Sequence, residues 1–203
     1  PSKQSINWTK IKEPEPISQK PNLQTKIAIF SLVTLANILL ARYGALATPN
    51  IPGANTLYFA VAFMIPFTLW FGKYGALSAY IGCIVGSGIT AGFSLPTNLA
   101  WSIADLWQVI IPLFAFKFLK ANISLKSKKD TAVFLLFGWL LNNIAGAIWG
   151  TCILIASGYV VAADFLMPFL TWFVSNLIVT ILITPILLRT ITPILKTKNL
   201  LFE

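Results

Sequence analysis

Asn98, Trp101, Asp105 and Gln108 follow one another at spacings of three, four and three, which stacks them on one face of a helix. Their neighbours are apolar, so a carboxyl group, two amides and an indole stand where polar groups are costly. The pattern repeats downstream. Trp139, Asn142 or Asn143, Gly146 and Trp149 or Gly150 keep the same period, and Trp172, Asn176, Thr180 and Thr184 step by four. Such residues offer hydrogen bonds and flat apolar walls, the composition of a small-ligand pocket. They do not offer proton transfer. Asp105 and Asp164 stand alone, and the sequence has no His, so neither a carboxylate pair nor an imidazole is at hand for acid–base work. Cys83 and Cys152 lie in apolar segments as small hydrophobes and form neither a zinc site nor a disulfide framework. Gly86-x-Gly88 falls within an apolar helix rather than on a phosphate-binding turn. The chain is therefore expected to be no enzyme and to hold no metal or other cofactor.

The elements that would position these residues follow from composition. The chain has 203 residues, of which 57% are hydrophobic and only 10% charged, and its mean hydropathy is +0.78. Soluble domains carry roughly a quarter charged residues, so this chain could not cover its surface in water. The bilayer is its expected solvent. A helix needs about 20 residues to cross a core of about 30 Å, and six apolar segments are legible. They run from about Lys26 to Ala47, Thr56 to Phe71, Tyr74 to Phe93, Thr97 to Phe116, Thr131 to Ser157 and Asp164 to Leu188. Before them lies a polar tail, 1–25, with Pro14, Pro16 and Pro21 against helix formation. In it Ile6, Trp8 and Ile11 could dip into the interface. Pro49, Pro52 and Gly53 mark an extended loop after the first segment. A short basic tail, 190–203, follows the membrane domain 26–189. No cleavable signal peptide is evident.

Charge fixes the orientation. With the amino terminus inside, fourteen of the fifteen Lys and Arg residues collect on the inner side, and only Arg42 falls outside. Dropping one helix would move several lysines across the membrane, so the bias supports six spans independently of hydropathy. The expectation is an all-α, polytopic membrane protein with six transmembrane helices and both termini cytoplasmic. The net charge of +9 is explained by topology and anionic lipid, with no nucleic acid as partner.

Depth, at about 1.5 Å per residue, places Asn37, Asp105, Asn142, Asn143 and Asn176 near mid-membrane. If their faces converge, they form a polar pocket walled by Trp101, Trp149 and Trp172 and open to the outside. Asn and Thr in membrane helices also act as glue between neighbours, and that reading stays open for each Asn. Asp105 needs a partner if ionised, and Arg42 is the expected one, forming an ion pair that lines or gates the pocket. Ser78, Gly82 and Gly86, and then Asn142, Gly146 and Gly150, recur at four-residue spacing, which predicts close helix packing. Those faces serve either an intramolecular seam or the docking of a partner subunit.

The run FMIPFTLWFGKYGALSAYIGCIVGSGITAG, Phe63 to Gly92, resembles the second and third helices of the first membrane-associated sensor domain family of bacterial signalling proteins. It is also similar to the substrate-binding S components of energy-coupling-factor vitamin transporters. The run Trp149 to Leu188 looks like the sensor family's ending, with Thr-Pro before the last apolar turn. With NLAWSIADLWQ the likeness spans about Thr56 to Leu188. The resemblance implies a six-helix bundle that captures a vitamin or metal from outside and works with a separate coupling subunit and two ATPases. Small residues on the first helix would dock it, and Ala41-x-x-x-Ala45 is the nearest match, although Arg42 and its outer position depart from that pattern. No output domain follows the last helix, which favours transport, or service as a subunit, over sensing. Three functions are therefore expected in order: an S-component-like uptake module, a sensory input domain, and an accessory subunit of a larger membrane complex, pigment-bearing or energy-converting. The expected partners are lipid and other membrane subunits. The expected location is a prokaryotic-type inner or cytoplasmic membrane, or an internal energy-converting one.

Overall fold

The computed structural model describes residues 21–47 and 55–202. The expectations for Ile6, Trp8 and Ile11, and for the loop around Pro49 to Gly53, lie outside those residues. Six helices dominate the rest. Helix α1, Leu23–Tyr43, starts three residues earlier than the sequence predicts, because the Asn22 side chain accepts from the Thr25 N–H at 2.8 Å. That is an N-cap, which satisfies one of the donors a helix start leaves free. Gly44 closes α1 by donating its N–H to the Leu40 carbonyl at 2.8 Å.

The second apolar segment departs from expectation. It is not helical from Thr56. Asn55–Tyr58 is a strand, β2, paired antiparallel with β1, Ala45–Ala47, and helix α2 covers only Ala60–Phe71. Twelve residues rise about 18 Å, against about 30 Å of hydrocarbon. On its own α2 is too short to span, and the strand β2 leads into it. The strand's last residue, Tyr58, reaches Asp105, which lies ten residues after the start of its helix, so extended backbone enters the bundle to mid-height. Non-helical backbone at such depth is tolerated where protein encloses it or where it lines a cavity. β2 packs on the last helix.

Gly72, with φ +56°, ends α2 in a conformation that side-chain-bearing residues avoid. The chain therefore turns at once into α3, Lys73–Gly82, which continues as wider π-helical turns over Cys83–Gly88. Helix α4, Leu95–Phe118, begins with Pro96, whose missing N–H costs nothing in a first turn. Helix α5, Lys128–Ala156, opens with a capping box in which the Ser127 hydroxyl accepts from the Asp130 N–H and Asp130 accepts from the Ser127 N–H. It widens into π-helical turns over Phe134–Leu141.

After a short 3₁₀ turn comes α6, Leu166–Thr197. It overruns the expected end at Leu188 by nine residues, so most of the short basic segment 190–203 is helical as far as Thr197. The chain then folds back. The Phe202 N–H donates to the Trp70 carbonyl at 2.8 Å, and the Phe202 ring meets Phe71 and Tyr74 at 5.1 and 5.5 Å.

Four helices, α1, α4, α5 and the α6 region, are long and apolar enough to cross a membrane. Their outer faces expose Leu32, Leu35, Leu39, Phe114, Ile148, Leu182 and Ile186, while Asn37, Gln108, Asn142, Asn143, Asn176 and Thr180 are buried. Polar groups inside and apolar groups outside are what a lipid solvent selects, and the molecule is compatible with an integral membrane protein.

Helix seams explain the small residues. A Cβ on Gly82 would stand 2.6 Å from the Asn37 Cβ, and one on Gly86 would stand 2.6 Å from the Ile38 carbonyl oxygen. α3 therefore lies directly against α1. Gly146 faces Gln108 of α4, and Gly150 faces the Trp172 ring of α6. All four contacts are within the chain, so these glycines are spent on its own seams rather than left open to a docking partner.

Candidate functional site

Helices α4 and α6 run in the same direction and meet through the rings of Trp101 and Trp172, whose centroids are 5.3 Å apart. One turn further along each helix stand Asp105 and Asn176, and the next turn brings Gln108 and Thr180. Helix α5 runs the other way and closes the side. Its Gly150 sits beside Trp172, Ala147 packs with Trp101 and Trp172, and Gly146 lies against Gln108. The fourth wall is β2, through Tyr58. Successive rungs of one interior are thus built by four elements. Phe93 caps the Trp101 face, at 5.1 Å from Trp101 and 4.8 Å from Tyr159.

Hydrogen bonding then sorts the candidates. Asn98 donates to the Ile84 carbonyl at 3.1 Å and accepts from the Ser102 hydroxyl at 3.1 Å, so it ties α4 to α3. Asn143 accepts from the Gln108 amide at 2.8 Å and donates to the Trp139 carbonyl at 2.7 Å. Both are glue. Trp149 donates to the Ala100 carbonyl at 2.8 Å, packs on the exposed Trp107 and lies half-buried against the cluster that holds Trp101 and Trp172. Its neighbour Gly150 is the residue that faces the Trp172 ring.

The remaining candidates are buried with unused capacity. Among the described residues, Asp105 Oδ1, Gln108 Oε1, Asn142 Oδ1 and Trp101 Nε1 have no hydrogen-bond partner. Asn176 has none for either its nitrogen or its oxygen, and the hydroxyls of Thr151 and Thr180 are unpaired as well. Asn142 still donates to the Gln108 carbonyl at 3.1 Å. Folded interiors pair most of their buried polar atoms, so these residues on α4, α5 and α6 are the candidates for a site.

Asp105 does not meet Arg42. The Arg42 guanidinium donates to the Thr90 hydroxyl, which in turn donates to the Gly86 carbonyl, at the outer end of α3. The carboxyl of Asp105 instead accepts from the Tyr58 hydroxyl through Oδ2 at 3.0 Å, with the Cys83 thiol close by. The expected ion pair is not formed: Arg42 is exposed and bonded to Thr90, while Asp105 is buried against Tyr58. No Lys or Arg is buried among the described residues, so Asp105 has no counter-ion there. The chemistry available is hydrogen bonding and aromatic contact beside a carboxyl without a counter-ion.

Tyr58, Cys83 and Thr151 belong to this interior although no periodic stripe in the sequence singles them out. A Tyr inside an apolar segment is the one readable clue, since a buried phenol usually finds a partner. We expect Tyr58→Phe, which leaves both Asp105 oxygens unpaired, to cost about 1–3 kcal/mol in detergent unfolding. Asp105→Leu in the Tyr58→Phe background should recover much of that loss. If the two changes add independently, the contact is not formed.

Comparison with protein-family models, with curated proteins and with solved structures finds no match to this chain.

Proposed function

We propose that the chain crosses the bilayer six times with both ends on the cytoplasmic side, and that it captures a small ligand from outside between α4, α5, α6 and β2 without transforming it. This is the behaviour of an S-component-like uptake module, the family that 63–92 resembles. The observation that carries the reading is Asn176, wholly buried, with neither side-chain atom paired. An amide used as glue would be bonded to a neighbouring helix, as Asn98 and Asn143 are. The strand β2 supports it too, since helices broken at mid-membrane are where transporters place their sites. The lysine distribution supports the six-span topology, because α2 and α3 must each cross for the inner count to hold.

The guest would be a flat molecule rich in hydrogen-bond donors, carrying no negative charge, held between the two tryptophans and Asp105. The test is small-molecule mass spectrometry on protein purified from its own membrane in mild detergent. We expect a bound compound whose amount drops at least tenfold in Asp105→Asn, with expression and melting unchanged. An equal yield of compound from wild type and Asp105→Asn would overturn the site. A fall in folded protein without a change in compound would make Asp105 a folding residue. Maleimide labelling of single cysteines placed after Thr197 and before Leu23 should react from the same side of sealed vesicles, and reaction from opposite sides would end the six-span topology.

A further inference from the structure

A second site lies at the end of the bundle where α1 begins and α4 ends. An open groove of about 450 Å³ runs between the start of α5 and the distal part of α6, lined by Lys126, Lys128 and Arg189 together with Leu125, Ala132 and Leu135. Among the described residues, no acidic side chain lines it. The nearby Asp130 is turned into its own loop, where its carboxylate accepts from the Asn122 N–H at 2.8 Å and from the Ser127 N–H at 2.9 Å. The three cations therefore have no carboxylate to neutralise them among the described residues. Their surroundings matter as much as their sign. On α6, exposed Leu182 and Ile186 lead directly to Arg189, and on α5 exposed Leu135 and Leu136 follow Lys128 by about two turns. The charges thus sit next to exposed apolar side chains on two adjacent helices.

We propose that this groove is a binding site for the head group of an anionic phospholipid. Arg189 and the two lysines contact the phosphate and the glycerol end, and the acyl chains descend over Leu135 and the exposed face of α6. Basic recesses between membrane helices have the geometry for this, and each cation near the surface favours an anionic lipid severalfold. The proposal requires that the chain sits in a bilayer. It does not depend on the ligand-capture reading, and neither test decides the other.

The experiment is native mass spectrometry of protein exchanged into micelles containing equal amounts of phosphatidylglycerol and phosphatidylcholine. Wild type should retain phosphatidylglycerol preferentially. Arg189→Gln should lower that retention about fivefold, and the paired change Lys126→Gln with Lys128→Gln, both exposed at the start of α5, should lower it further. Lys73→Gln, at the same end of the bundle but outside the groove, should leave it unchanged. Equal retention of the two lipids would overturn the proposal. So would an equal loss in Lys73→Gln, which would show general surface charge. Release of the lipid by excess inorganic phosphate would make the groove a soluble-anion site instead, and would also overturn it.

Discussion

Asn176→Leu should raise the thermal midpoint of ligand-free protein by about 3–10 °C and abolish ligand capture. Removing a buried amide with two unpaired atoms relieves a penalty of about 1–3 kcal/mol, and each kcal/mol moves a chain of this size by about 2–4 °C. Leu shares the branching of Asn but is larger, so overpacking offsets part of that gain. Gain of stability with loss of binding is the mark of a residue kept for function, since natural sites commonly sacrifice stability. The measurement is differential scanning fluorimetry on detergent-washed protein, paired with mass spectrometry of material that was not washed. Asn143→Leu is the contrast. It breaks hydrogen bonds to Gln108 and Trp139 and should lower the midpoint. A lower midpoint for Asn176→Leu as well would mean that Asn176 holds helices together, and the site would lose its main support.

Gly82→Leu combined with Gly86→Leu should leave almost no folded protein. The added carbons would collide with Asn37 and with the backbone of Ile38, at separations of 2.6 Å to a new Cβ before any larger side chain is considered. Backbone cannot move aside as the tip of a side chain can. Forcing extra carbons into a close-packed seam costs about 1–3 kcal/mol per site, sometimes more, against a total stability of about 5–15 kcal/mol. The α1–α3 contact also carries the Asn37 to Ser78 hydrogen bond of 2.9 Å, which would be lost with it. The readout is the monodisperse fraction on size exclusion in detergent. Leu77→Ala, on the exposed face of the same helix, should behave as wild type. A normal profile for the double variant would show that α1 does not pack on α3 as described.

The polar stripes are legible in the sequence because an amide or carboxyl in an apolar run stands out at any spacing, and the period of a helix then assigns it a face. Trp101, Asp105, Gln108 and Asn176 can be picked out on that ground alone. Whether such a group is glue or site depends on its partners across helices, and partner identity is not local. Asn143 and Asn176 look alike in sequence, yet one is fully bonded and the other is not. Helical period does not tell Asn142 from Asn143, because the wide turns of Phe134–Leu141 rotate the following helix and bury both. The period likewise leaves Trp149 and Gly150 open, and Gly150 is the one that meets the Trp172 ring.

Composition and periodicity determined by themselves that this chain forms long apolar helices with a polar stripe, because solvent transfer and helical period act residue by residue. The tertiary structure alone decided that the second segment enters as a strand, that Tyr58 rather than Arg42 meets Asp105, and that α6 runs on to Thr197 so that Phe202 can return to the bundle. Those outcomes turn on which surfaces compete for the same space. That competition is settled by contacts between residues far apart in the chain, which no local pattern records.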